Sequence, residues 1–214
     1  MNKIISQDKI FLEKEGDDYF ERNGPSVNQA IYKAIKFLRP KKKDTIFEIG
    51  CGCGSTLKKA QENFKSQVWG IDTSKKAINY AIRKHKLKHV FTDTFLNFSA
   101  KNKFNIVVSG GFLYVTPDKI LLKTINKMIN FVKKDSYLVI WDYDTPVSYE
   151  NSWKYNNKVK SYKRNLVNII LKKHPKLYLV SKILSLINGK KLDSYNNSIN
   201  IDNILAVMIF RKIS

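Results

Sequence analysis

Apolar positions along the chain follow two rhythms. Short runs read as buried strands, and stretches spaced by three and four residues read as helices. Residues 25–38, PSVNQAIYKAIKFL, place Val27, Ala30, Ile31, Ala34, Ile35 and Leu38 on one helical face, with Pro25 suited to the first turn. After the polar break RPKKKD comes TIFEIG, a buried-strand pattern. A helix through 55–64 follows, then the strand QVWGID at 67–72. The next helix is opened by Ser74 and buries Ala77, Ile78, Ala81 and Ile82. HVFTD ends a short strand at Asp93, and FNIVVS covers a fourth at 104–109. Thr116 and Pro117 start a long amphipathic helix that turns Ile120, Leu121, Ile125, Met128, Ile129 and Val132 inward, and SYLVIWDYD is the fifth strand. Strands alternating with helices predict an α/β fold with a doubly wound, mostly parallel sheet.

Beyond Asp144 the alternation loosens. An Asn/Lys/Tyr-rich stretch precedes a helix near 161–172, and two late strands at 177–185 and 203–211 flank GKKLDSYNNSINID, which reads as a polar loop. Two strands without an intervening helix predict an antiparallel pair at the end of the sheet. The 214 residues suit one domain, with an N-terminal lid and helix at 1–40, a core at 45–145 and a substrate-side segment with the strand pair at 146–214. No uninterrupted apolar run is long enough to span a bilayer, and the start MNKIISQDKIFLEKEG has no secretory pattern. The expectation is a cytoplasmic protein without a transmembrane segment.

Charge changes this picture little. The net charge is +21, which attracts polyanions. Only five basic residues are arginine, however, and Lys, Asn and Ile crowd the whole sequence, as a general compositional habit would produce. Cys51 and Cys53 stand too close for a comfortable disulfide, and His85, His89 and His174 show no ligand spacing with them, so no metal is expected.

The candidate chemistry begins at EIGCGCGSTLKKA, residues 48–60, which follows a strand and opens a helix. Gly50, Gly52 and Gly54 permit positive φ and close backbone approach to a ligand, while the helix start supplies free N–H groups. Phosphate and dinucleotide binders use similar turns, so the acids must discriminate. No Gly-Lys-Ser/Thr follows, which disfavours a nucleoside-triphosphate loop. Asp72 closes the next strand, where a carboxylate can accept both ribose hydroxyls. Glu48 before the first glycine and Asp93 after the third strand would sit badly against a pyrophosphate. They suit a ligand with an ammonium, a sulfonium and an adenine amino group.

The ordered series EIGCGCG, GIDTS, TDTF and FNIVVSGGFLYVTP resembles the class I S-adenosylmethionine-dependent methyltransferases over about residues 45–145. The resemblance implies a Rossmann-like seven-stranded sheet with an antiparallel last strand and S-adenosylmethionine as cofactor. By position, Gly50, Gly52 and Gly54 would border its methionine part and Glu48 would help through its ammonium. Asp72 would hold the ribose hydroxyls and Asp93 the adenine amine, Thr73 and Thr94 would belong to the same cofactor site, and Ser109 with Gly110 would line the pocket. A narrower resemblance runs through EGDDYFERN, GFLYVTPDKI, WDYDTPVSYENSWKYNNKVKSYKRN and PKLYLVS, which are similar to methylases associated with pseudaminic acid biosynthesis. It implies that Gly16, Asp17, Tyr19, Arg22 and Asn23 form a lid over cofactor or substrate. Those proteins carry a histidine after the fourth strand where this chain reads LYVTP, leaving Tyr114 as its replacement by position.

Methyl transfer is an in-line displacement that needs alignment, desolvation and, for a hydroxyl nucleophile, a base. Tyr114, Asp142, Tyr143 and Asp144 reach the carboxyl edge of the sheet by topology, and Asp142 or Asp144 is the candidate base. Residues 151–191 hold eleven Lys or Arg and no acid, interleaved with Trp153, Tyr155, Tyr162 and Tyr178. Such a surface suits an anionic small molecule, with an acidic sugar or glycan precursor as the first expectation. RNA methylation is the alternative for a nucleic-acid partner. A fold that binds the cofactor without catalysis is the other alternative. Nothing in the sequence fixes an oligomeric state.

Overall fold

The computed structural model describes residues 7–186, 191–192 and 204–213. At the N-terminus, α1 (Gln7–Ile10), a π-helical turn (Phe11–Glu15) and α2 (Gly16–Asn23) lead to α3 (Gln29–Leu38). The alternating part comprises β1 (Thr45–Ile49), α4 (Ser55–Phe64), β2 (Gln67–Asp72), α5 (Lys75–Arg83), β3 (Val90–Thr92), β4 (Phe104–Gly110), a 3-10 turn (Leu113–Val115), α6 (Asp118–Phe131) and β5 (Val132–Tyr143). Then come β6 (Tyr149–Trp153), β7 (Asn156–Lys163), α7 (Leu166–Lys173), β8 (Leu177–Leu186), β9 (Lys191–Leu192) and β10 (Ile204–Lys212).

The main sheet has the order β3-β2-β1-β4-β5-β10-β8-β9. β1 to β5 pair in parallel, and β10 runs antiparallel between β5 and β8. The predicted seven-stranded, mostly parallel sheet is therefore present, extended by the two-residue β9. Successive side chains of each strand face opposite layers. Ile46, Val108, Val139 and Ile209 pack with Ile31, Ile35, Leu57 and Ile78 of α3, α4 and α5. Phe47, Val107, Leu138 and Phe210 pack with Ile125, Met128 and Ile170 of α6 and α7. Both faces being covered is why the central strands read as continuous apolar runs.

Four local expectations change. The helix expected from Pro25 begins at Gln29, because the Asn28 side chain accepts the Ile31 N–H at 3.1 Å and caps it there. Ile82 is 46% exposed, lying about 40° beyond the edge of the arc of Ala77, Ile78 and Ala81. The helix near 161–172 starts only at Leu166, with Asn165 accepting the Asn168 N–H at 3.2 Å, because 156–163 form β7, paired with β6. Within the expected loop at 189–202, Lys191 and Leu192 pair with β8, and the rest lies outside the described residues. Among the described residues no helix is long and apolar enough to cross a membrane.

Candidate active site

Parallel strands deliver their last residues to one edge, and the first crossovers open a crevice there. A cavity of about 410 Å³ occupies that crevice, lined by Glu48, Gly50, Gly52, Asp72, Thr73, Asp93, Thr94, Gly110, Tyr114 and Asp142, with Tyr19 over it. Gly50 and Gly52 have φ of 69° and 53°, and a Cβ on Gly52 would meet nothing within 4 Å. The loop thus exposes backbone to the cavity without side chains. The Gly52 N–H donates to Asp72 Oδ2 and the Ser74 N–H to Asp72 Oδ1, both at 2.8 Å, which locks the carboxylate at the cavity wall. Burial raises the Asp72 pKa despite these donors.

Glu48 is 4% exposed, and its Oε2 has no hydrogen-bond partner. Burial first, and then the charge of Asp72, push its pKa up to about 8. A buried carboxylate in this condition is costly unless a cation approaches it. It fits the ammonium of the expected cofactor, and the open glycine turn and anchored Asp72 fit its remaining parts. Asp93 follows β3 and holds the Thr94 N–H at 2.7 Å.

The N-terminal segment closes the cavity from above. Asp17 Oδ1 accepts the Ser74 hydroxyl at 2.7 Å and the Lys76 N–H at 3.0 Å, fastening α2 to the start of α5. A Cβ on Gly16 would lie 2.9 Å from Thr73 Oγ1, so glycine permits that close approach. Gln7 donates to the Val115 and Lys160 carbonyls at 2.6 and 3.1 Å, fastening α1 over the other end.

At that other end, Asp142 Oδ2 accepts the Leu113 and Tyr114 N–H groups at 2.8 and 3.2 Å, and Oδ1 accepts the Tyr143 N–H at 2.8 Å. Burial outweighs these donors and pushes its pKa up to about 6. The bonds fix the turn that presents Tyr114, whose ring lies 5.5 Å from that of Tyr143. Burial, followed by Tyr19 and Asp142, raises the Tyr114 pKa far above the ordinary phenol value.

Five expected residues do not line the cavity, Asp17 of the contact between α2 and α5 among them. Asp144 is wholly buried, ion-paired with Lys182 and accepting the Val167 N–H, which removes it from the role of base. Arg22 turns outward to pair with Glu15, its guanidinium 4.5 Å from the Tyr155 ring. Gly54 packs on Leu87, where a Cβ would come within 2.5 Å. Ser109 is fully buried one residue before the wall. Sequence reasoning missed Asp8, Phe11, Phe112 and Trp141, all in the lining. Phe112 and Trp141 were signalled by their place at the ends of β4 and β5, whereas no local pattern marks Asp8 or Phe11.

The wall carries five carboxylates (Asp8, Glu48, Asp72, Asp93, Asp142) and, among the described residues, no Lys, Arg or His. No Lys or Arg of the basic 151–191 segment is among the described residues that line the cavity. Arg164 is 3% exposed and bonded to Asp118, Leu113 and Thr116, and Lys163 lies over the Tyr143 ring.

This architecture has known counterparts. N-methyltransferase NodS from Bradyrhizobium japonicum WM9, solved with S-adenosylhomocysteine, is 17% identical with a TM-score of 0.64 over 100% of both chains. The 1,6-didemethyltoxoflavin-N1-methyltransferase of Burkholderia thailandensis, with 1,6-didemethyltoxoflavin and S-adenosylhomocysteine bound, is 10% identical with a TM-score of 0.71, covering 99% of this chain and 88% of that one. An S-adenosylmethionine-dependent methyltransferase from Clostridium acetobutylicum ATCC 824 is 12% identical with a TM-score of 0.60, covering 94% and 97%. These likenesses are of fold. No curated protein matches the chain. The profile described as a methyltransferase domain matches residues 40–194, more than half of the chain, and the chain belongs to that family.

Proposed function

We propose that the chain uses S-adenosylmethionine to methylate a small molecule held between the sheet edge and the N-terminal segment. The observation that carries this is the meeting of Glu48, Asp72 and Asp93, from the ends of three neighbouring strands, in one cavity beside an open glycine turn. Glu48 would pair with the cofactor's ammonium, Asp72 would accept the ribose hydroxyls and Asp93 the adenine amine. When bound, S-adenosylmethionine supplies a methyl group made electrophilic by its sulfonium. The chain's own residues orient and exclude water: Tyr19 and Phe11 cover the cavity, and Asp142 holds the turn that aims Tyr114 into it.

The acidic sugar or glycan precursor implied by the narrower resemblance would need a counter-charge for its carboxylate. The cavity wall offers carboxylates instead. A neutral or basic small acceptor meets no such repulsion, and RNA would bring phosphates to the same acidic opening.

The test is calorimetric titration with S-adenosylhomocysteine of the native chain and Asp72→Asn. Binding by the native chain, weakened at least tenfold in the variant, is expected. Equal binding by both, or none by the native chain, removes the basis of the reading.

A further inference from the structure

The strand order divides the cavity in two. Glu48, Asp72 and Asp93 stand at the ends of β1, β2 and β3, while Tyr114 and Asp142 stand at the ends of β4 and β5. α1 belongs to the second half, because Gln7 is tied to Val115 in the turn after β4 and to Lys160 of β7. Asp8, the next residue, lines the cavity from there.

Of the five carboxylates in the wall, three serve the cofactor in the reading above, and Asp142 is taken up by three backbone N–H groups. Asp8 is left. It is half-buried, and among the described residues neither a hydrogen bond nor an ion pair reaches its side chain; burial is the only influence on its acidity and raises its pKa. The same cavity wall carries the aromatic rings of Phe11, Tyr19, Tyr114 and Tyr143. A carboxylate among aromatic faces attracts a cation twice over, by charge and by the ring quadrupoles. Among the described residues the lining holds no Lys, Arg or His to offset an anion's desolvation, Lys163 lying on the Tyr143 ring rather than in the wall.

Resting on the S-adenosylmethionine reading of this cavity, we infer that the acceptor is an amine-bearing small molecule and that Asp8 reads its positive charge. The aromatic walls take the apolar body of the molecule, and the Asp8 carboxylate takes its ammonium by a charge-assisted hydrogen bond. Asp8 is thus a specificity residue, carried on the segment that closes the site.

The test titrates the S-adenosylhomocysteine-loaded protein with arylalkylamines, each matched with the alcohol and the carboxylic acid of the same skeleton. Amines should bind at least tenfold more tightly than their partners. Asp8→Asn should erase that preference and Asp8→Glu should retain most of it, with the S-adenosylhomocysteine affinity of each variant serving as the check on folding. The inference is overturned if alcohol or acid binds as well as the amine, if no member of the panel binds, or if Asp8→Asn keeps the preference. Absence of S-adenosylhomocysteine binding by the native chain would sink the cofactor reading instead, so the two failures are told apart.

Discussion

Glu48 concentrates the physics of the site in one residue. Its pKa lies at about 8 in the folded chain against an ordinary 4.5, so the folded state holds a proton that the unfolded state has lost over that interval. With more protons bound in the native state, stability falls as pH rises from about 4.5 and stops falling once the folded pKa is passed. The effect is on the order of a few kcal/mol, since each tenfold difference in proton affinity between the two states is worth about 1.4 kcal/mol. Glu48→Gln removes the titration. In cofactor-free protein, melting curves should show the variant gaining on the native chain between pH 5 and pH 9, while its S-adenosylhomocysteine affinity falls about tenfold or more. A native melting temperature that is flat with pH would refute the buried-charge account.

At the scale of elements, the polar cation Arg164 shows what the basic segment does. Its three nitrogens reach Asp118 Oδ1 at 2.7 Å, the Leu113 carbonyl at 2.9 Å and the Thr116 carbonyl at 2.6 Å. Asp118 is 75% exposed, so that ion pair counts for little; the two carbonyl bonds, made by buried nitrogens, count for more. Arg164→Lys keeps the charge but one nitrogen cannot span the three acceptors. The expected loss is about 1–3 kcal/mol, seen as a lowered denaturant midpoint; an unchanged midpoint would show that the clamp is dispensable. The same region explains what the sequence concealed. β1, β2, β4 and β5 were legible because strands covered on both faces are continuous apolar runs, and Glu48, Asp72 and Asp93 were placed by ending or following such runs. β6 and β7 were not, because β7 fills inward positions with Val159, Ser161 and Lys163, and one apolar residue among two polar ones gives no strand alternation. Asp8 was hidden for a different reason: the position of α1 is decided by Gln7 reaching residues more than 100 positions away.

For the molecule as a whole, the net charge of +21 and the acidic cavity pull in opposite directions. The cations that are buried have structural work, Arg164 joining the turn after β4 and Lys163 covering Tyr143, and the partly buried Lys182 pairs with Asp144. The remaining lysines are spread along the chain and raise a diffuse field that holds polyanions without selecting among them. RNA should therefore bind at about 50 mM salt and be released by about 0.5 M, as a purely electrostatic contact is, because each neutralised phosphate adds to the salt dependence. No labelled methyl group should pass from S-adenosylmethionine to that RNA at either salt concentration, since phosphates entering the acceptor half of the cavity would face Asp8 and Asp142. Filter binding across a salt series, with label counted on the retained RNA, separates the two statements. Binding that persists at high salt, or label on the RNA, would show that the surface charge and the cavity act together on a nucleic acid, and the small-molecule reading would fall.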